Sequence, residues 1–336
     1  MKRAIAILLL LLLATSVTAG NKAILIGVSR YPCGSGWSHL NSDNDVDLLK
    51  EILLPRWEVS VLKDDQATYE GIVRTLKKVT ETLFPGDTII IHFSGHGQQM
   101  LPLVEEQTCE PDMLDEAIVP YDAKKDWSES YNGEKHLRDN EFGELVDVVR
   151  DKAGINGLVV VILDACHSDS MQRTPDAAGI SVIYRGTSDI FGQNVTAEHE
   201  KKRFIRDTSK IVIKNNAACV YLSACQANSK NAEITTPQGV GYGSLSYSVA
   251  GALMEGGMLD LDAFLDRVVM AMDSLVPYQR PGIRASFDYQ LPERVKTSTL
   301  ITSVAHEEKT HSKSYLVAVS IVLALLIITI WRAKKK

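Results

Sequence analysis

The chain has 336 residues, with 36 Lys and Arg against 42 Asp and Glu, a formal net charge of −6. Without Lys2, Arg3 and the four cations of the tail, 36 basic residues become 30 against 42 acidic, a balance of −12. Such a surface argues against nucleic acid as a partner and would suit a basic substrate. The five cysteines, Cys33, Cys109, Cys166, Cys219 and Cys225, show no CxxC spacing, which speaks against a zinc site. An odd number in an exported protein leaves at least one thiol unpaired, and Cys166 is the candidate. A Cys33–Cys109 or Cys219–Cys225 pairing stays open.

The ends carry the targeting signals. Lys2-Arg3, an apolar run over 4–14 and Val17-Thr18-Ala19 form a signal-peptide pattern with cleavage after Ala19, the alternative being an uncleaved anchor. An uncharged apolar segment over 315–331 is bracketed by Tyr315 and Trp331 and followed by Arg332, Lys334, Lys335 and Lys336. It predicts a C-terminal transmembrane helix with a basic cytoplasmic tail over 332–336 and a polar stalk over 292–314. The expectation is an exported protein, tethered to the membrane by its tail, with its globular part in the periplasm or the extracellular space.

Between these ends, strand and helix patterns alternate. A strand over 22–28 precedes a helix over 43–54, with Val46, Leu49, Ile52 and Leu53 on one face and Pro55 past its end. A strand over 58–62 and an amphipathic helix over 68–83, stopped by Phe84-Pro85-Gly86, come next. The run over 88–93 is continuously apolar but for His92, and a short extended piece covers 117–121. A helix over 139–151 turns Phe142, Leu145, Val146 and Val149 inward and leads to a second apolar strand over 158–163. Polar, glycine- and charge-rich sequence fills 168–215. A strand over 217–223 and helices over 245–254 and 261–275 complete the pattern. There are no internal repeats. Alternation of this kind predicts an α/β fold with a mostly parallel central sheet flanked by helices on both faces.

Two of these strands end in reactive residues. Thr88-Ile89-Ile90-Ile91-His92-Phe93 runs into Ser94-Gly95-His96-Gly97, and Leu158-Val159-Val160-Val161-Ile162-Leu163 runs into Asp164-Ala165-Cys166-His167-Ser168. Apolar runs of this length suit strands buried on both faces, and ligands bind beyond the carboxyl ends of such strands. His96 and Cys166 therefore stand where a cysteine nucleophile and its base belong: a thiolate attacks a carbonyl, and an imidazole takes and returns the proton. The Cys166 amide and Gly97 are candidate oxyanion donors.

Ser94-Gly95-His96-Gly97 and Asp164-Ala165-Cys166-His167-Ser168 resemble the His and Cys motifs of the metacaspases, caspase-fold cysteine peptidases. Asn44-Asp45-Val46, the stretch from Asp115 to Asp122 (DEAIVPYD) and Ser223-Ala224-Cys225-Gln226 resemble further segments of that family. The resemblance covers 22–291. It implies a caspase-like peptidase domain over 20–291, with a large-subunit region over 20–200 and a small-subunit region over 210–291, acting as a monomer on protein or peptide substrates. Where caspases carry Gln two residues before the nucleophile, this chain has Asp164. With Asp45, as the resemblance implies, it would form an acidic S1 pocket for Arg or Lys.

No cofactor is needed for the chemistry. The resemblance implies that Ca2+ activates some members, and the matching positions are Asp112, Asp115, Asp139 and Asn140, the Asn standing where a carboxylate is expected. Lys201, Lys202, Arg203 and Arg206 mark the 168–215 loop as a place for self-processing. Two features depart from the family pattern: His96 and Cys166 lie 70 positions apart, against about 50 in caspases, and Asp169 replaces a Gly after the Cys motif. The alternatives are another caspase-fold peptidase of clostripain or legumain type and a non-catalytic membrane-bound scaffold.

Overall fold

The computed structural model describes residues 19–101, 114–166, 183–193, 216–225 and 231–287. All fall within one compact unit, Met1–Gln290, and a second unit comprises Leu291–Lys336. In chain order the elements are β1 (Asn21–Gly27), α1 (Ser42–Leu53), β2 (Glu58–Lys63), α2 (Tyr69–Glu81), β3 (Thr88–Ser94), β4 (Gly97–Met100), β5 (Asp115–Ile118), β6 (Leu137–Arg138), α3 (Asp139–Ala153), β7 (Leu158–Asp164), β8 (Ala218–Ser223), β9 (Glu233–Thr235), β10 (Gly241–Gly243), α4 (Ser244–Gly256), α5 (Leu261–Leu275) and β11 (Gly282–Ala285).

The main sheet has the order β11-β8-β7-β3-β1-β2. Its five longer strands are parallel, but β11 pairs antiparallel with β8. The sheet is therefore mixed: mostly parallel, as expected, with one antiparallel strand at its edge. Two smaller antiparallel ribbons, β4-β5-β6 and β9-β10, lie outside it.

The apolar runs form strands because both faces are covered. Ile89, Ile91 and Phe93 of β3, with Val159 and Val161 of β7, share one core with Ile72, Leu76 and Val79 of α2 and Phe142, Val146 and Val149 of α3. Ile90, Val160 and Ile162 turn the other way, onto Leu49 and Leu53 of α1, Leu245 and Val249 of α4, and Phe264, Val268 and Met272 of α5. Strict alternation along a strand is what allows one six-residue run to feed two cores. Helix starts are fixed locally: Thr68 accepts from the Gly71 amide, and Asp260 from the Ala263 amide.

The expected transmembrane helix is also corrected. Among the described residues no helix is long and apolar enough to cross a membrane, and 315–331 lies outside them. The membrane tether rested on that helix and is withdrawn with it, and the exported, tethered localisation is not retained. The stalk and the signal segment up to residue 18 lie outside the described residues as well.

Because Ile90 is fully packed between the sheet and α1, Ile90→Ala should lose about 2–5 kcal/mol of unfolding free energy by urea titration. A loss below about 1 kcal/mol would contradict the two-core packing.

Candidate active site

Two neighbouring strands, β3 and β7, deliver the reactive groups to one edge. In the β3–β7 ladder Ser94 lies opposite Asp164, and the Gly95 amide donates to the Asp164 carbonyl (3.3 Å). His96 and Cys166 thus each stand two residues beyond a paired position on neighbouring strands. Both are fully buried.

The His96 ring is clamped. It stacks on Trp37, with centroids 4.9 Å apart, and tilts against Tyr31 at 5.2 Å. Its Nε2 lies 3.0 Å from the Ser38 carbonyl. A carbonyl only accepts, so Nε2 carries the proton of the neutral imidazole and Nδ1 keeps its lone pair. Nδ1 is buried and, among the described residues, has no hydrogen-bond partner. Burial pushes His96 down to about 3, against the bond to Ser38, so near neutral pH the ring is neutral, with its free lone pair on Nδ1.

At Cys166 the amide donates to the Arg185 carbonyl (2.7 Å), so this donor is engaged by the chain itself. Gly97, the other oxyanion candidate, opens β4 opposite Ile118. The Cys225 thiol lies 3.1 Å from the Cys166 sulfur and donates to it. The hydrogen bond to Cys166, with burial, pushes Cys225 well above the usual thiol range, so Cys225 remains protonated. Cys219 and Cys225 are both thiols, so the pairing left open between them is not formed; Cys109 lies outside the described residues.

Asp45 and Asp164 converge, and a third carboxylate joins them. The Arg185 guanidinium, fully buried, lies 2.8 Å from Asp45, 2.9 Å from Glu233 and 3.7 Å from Asp164. Each acid has further donors. Asp45 accepts from Ser94 Oγ (2.7 Å) and the Gly243 amide (2.9 Å). Asp164 accepts from Asn231 Nδ2 (2.9 Å) and from the amide and hydroxyl of Ser246 (both 2.7 Å), in the first turn of α4. Glu233 accepts from the Asn41 amide (2.8 Å).

The two aspartates are driven apart. Burial raises Asp45 to about 7 despite Arg185. Burial also opposes the charge on Asp164, but Arg185, Asn231 and Ser246 together outweigh it and hold that carboxyl below its usual range. Gly243 is required by closeness: a Cβ there would come within 2.1 Å of Asp164 Oδ2.

The family model described as Caspase domain, a peptidase family, matches residues 21–291. The chain belongs to this family. It is similar to Metacaspase-5 of Trypanosoma brucei brucei, 25% identical over 240 residues, 67% of this chain and 41% of the relative. Metacaspase-1 of Pyricularia oryzae is 31% identical over 169 residues, 47% of this chain and 39% of the relative. The chain thus spans about two fifths of the length of these curated relatives. Among solved structures, protein GSU0716 from Geobacter sulfurreducens matches with a TM-score of 0.53 and 19% identity, over 82% of this chain and 96% of that one. That likeness shows a shared fold alone.

The positions named for Ca2+ are engaged within the fold where they are described. Asp115 is buried and ion-paired with Arg138, Asp139 opens α3 and accepts from the Asn140 amide, and Asp112 lies outside the described residues. Among the described residues no group of three or more His, Cys, Asp or Glu could hold a metal ion. The basic positions Lys201, Lys202, Arg203 and Arg206 also lie outside the described residues.

Sequence reasoning missed Arg185 and Glu233. Neither lies in a periodic apolar segment; the one available signal was a basic residue before a glycine, Arg185-Gly186, inside a polar loop.

Burial also holds His92 at about 4 and His136 at about 3. An unfolded His titrates near 6.5. Below about pH 6.5 the unfolded chain therefore binds three protons that the fold refuses, and stability falls with pH at roughly 1.4 kcal/mol per unit for each. Asp45, raised in the fold, holds a proton that the unfolded chain has lost between about 4 and 7, which cancels one of the three. Urea midpoints measured from pH 7.5 to 5 should drop steeply below pH 6.5; a flat profile would contradict the buried neutral imidazoles.

Proposed function

We propose that the protein is a cysteine endopeptidase that cleaves after Arg or Lys, with Cys166 as nucleophile and His96 as its base. One observation carries the specificity: three carboxylates from three separate elements surround a guanidinium beside Cys166. Buried carboxylates in this number are stable only against a cation, so the cavity selects a basic P1 side chain and rejects Asp. Arg is favoured over Lys because a planar fork can meet several carboxylates at once.

In this mechanism Nδ1 of neutral His96 takes the Cys166 proton, its Nε2–H being held by Ser38. The Cys225 S–H, donating to the attacking sulfur, offsets part of the thiolate charge. The thiolate adds to the P1 carbonyl, whose oxygen accepts from the Cys166 amide and, in this proposal, from the Gly97 amide. His96 then protonates the leaving amine, and water, deprotonated by the same ring, hydrolyses the thioester. Self-processing within 168–215 belongs to the same reading.

Fluorogenic peptides ending in Arg, Lys or Asp test the assignment. Arg and Lys peptides should be cleaved and Asp peptides left intact, and Cys166→Ala should abolish turnover. Asp45→Asn should lower kcat/KM on Arg peptides roughly 10- to 100-fold, the worth of one charged hydrogen bond. A preference for Asp peptides would contradict the reading.

A further inference from the structure

The segment Ile183–Gly186 lies against the Cys166 backbone. Its backbone forms a short antiparallel bridge, Tyr184 opposite Ala232. The Arg185 amide donates to the Asn231 carbonyl (3.0 Å), and the Glu233 amide donates to the Ile183 carbonyl (2.9 Å). Pairing an extended peptide with an exposed strand edge is a common way to fix a substrate's register. Here the register puts one carbonyl in reach of the nucleophile's own amide, that of Arg185, at 2.7 Å. The Arg185 side chain fills the cavity of Asp45, Asp164 and Glu233. The next residue is a glycine pressed against Cys166: a Cβ at Gly186 would come within 2.2 Å of the Cys166 carbonyl oxygen and 3.2 Å of its Cβ.

Side chain, carbonyl and following residue thus satisfy three separate requirements at one bond. A structural ion pair would explain the guanidinium but not the carbonyl on the Cys166 amide or the glycine behind it. We propose that the Arg185–Gly186 peptide bond is the protein's own first substrate, presented in cis, and that the intact segment keeps other substrates out.

This rests on the peptidase reading above and names its self-processing site, away from the basic cluster at 201–206. In the step, the Cys166 sulfur bonds to the Arg185 carbonyl carbon as its proton passes to His96. The C–N bond to Gly186 breaks, and His96 returns the proton to the departing amine. Water then hydrolyses the Arg185 thioester, which restores the thiol and leaves a carboxylate on Arg185 and a new amino terminus on Gly186. The cut falls in the connection between β7 and β8, which stay paired through six residue positions of the sheet, so the pieces remain associated while Arg185 can leave the cavity.

The test follows the full-length chain by intact mass and amino-terminal sequencing after purification and incubation. The expected result is a cut whose products end at Arg185 and begin at Gly186. Its first-order rate should not depend on protein concentration, and the cut should be absent in Cys166→Ala. Arg185→Gln should slow it at least tenfold, whereas Arg185→Lys, which keeps a cation among the carboxylates, should still be cut there. The same samples are offered an Arg-terminated fluorogenic peptide. Turnover of that peptide by a chain left whole at 185–186, or cut only elsewhere, overturns the self-substrate assignment alone. Loss of both activities overturns the peptidase reading with it.

Discussion

A guanidinium buried among three carboxylates is the interaction on which the loops at the sheet's carboxyl edge depend. Arg185 is wholly withdrawn from water, and an unpaired charge there would cost several kcal/mol. Asp45 arrives on α1, Asp164 at the end of β7 and Glu233 on β9, while Ser94 at the end of β3 and Ser246 in α4 hold the acids in place. Five elements distant in sequence are thereby tied to one cation. Three acids exceed one cation's charge, and Asp45, raised to about 7 by burial, is the member that yields by taking a proton.

The same interaction couples fold to chemistry. The β3–β7 register carries Ser94 and Asp164 to the cluster, and two residues further along each strand stand His96 and Cys166. The proposed pocket and the proposed nucleophile and base are thus consecutive along the same two strands, so a slip in register would displace all of them at once. Burial serves both ends: it keeps His96 neutral and makes the acidic cavity dependent on a positive occupant.

Much of this was legible in the sequence because it is local. The apolar runs of β3 and β7 fixed their strands and the exits at His96 and Cys166, and α1, with Val46 and Leu49 inward, carried Asp45 to its N-terminal turn. Glu233 and Arg185 were not legible, since both act through long-range pairing of short polar segments with no period to detect. Charge density drew attention to 201–206, but a single arginine with the right backbone register forms the contact. β11, with the sequence Gly-Ile-Arg-Ala, has too little pattern to reveal that it turns the sheet mixed. The apolar tail segment led to a membrane-spanning expectation that no described helix supports.

The most direct measurement is a crystal structure of the uncut Cys166→Ser chain. The account requires the Arg185 guanidinium within hydrogen-bonding distance of Asp45 and Glu233, and the Arg185 carbonyl on the amide of residue 166. Electron density placing Arg185 in solvent, with that amide directed elsewhere, would contradict it.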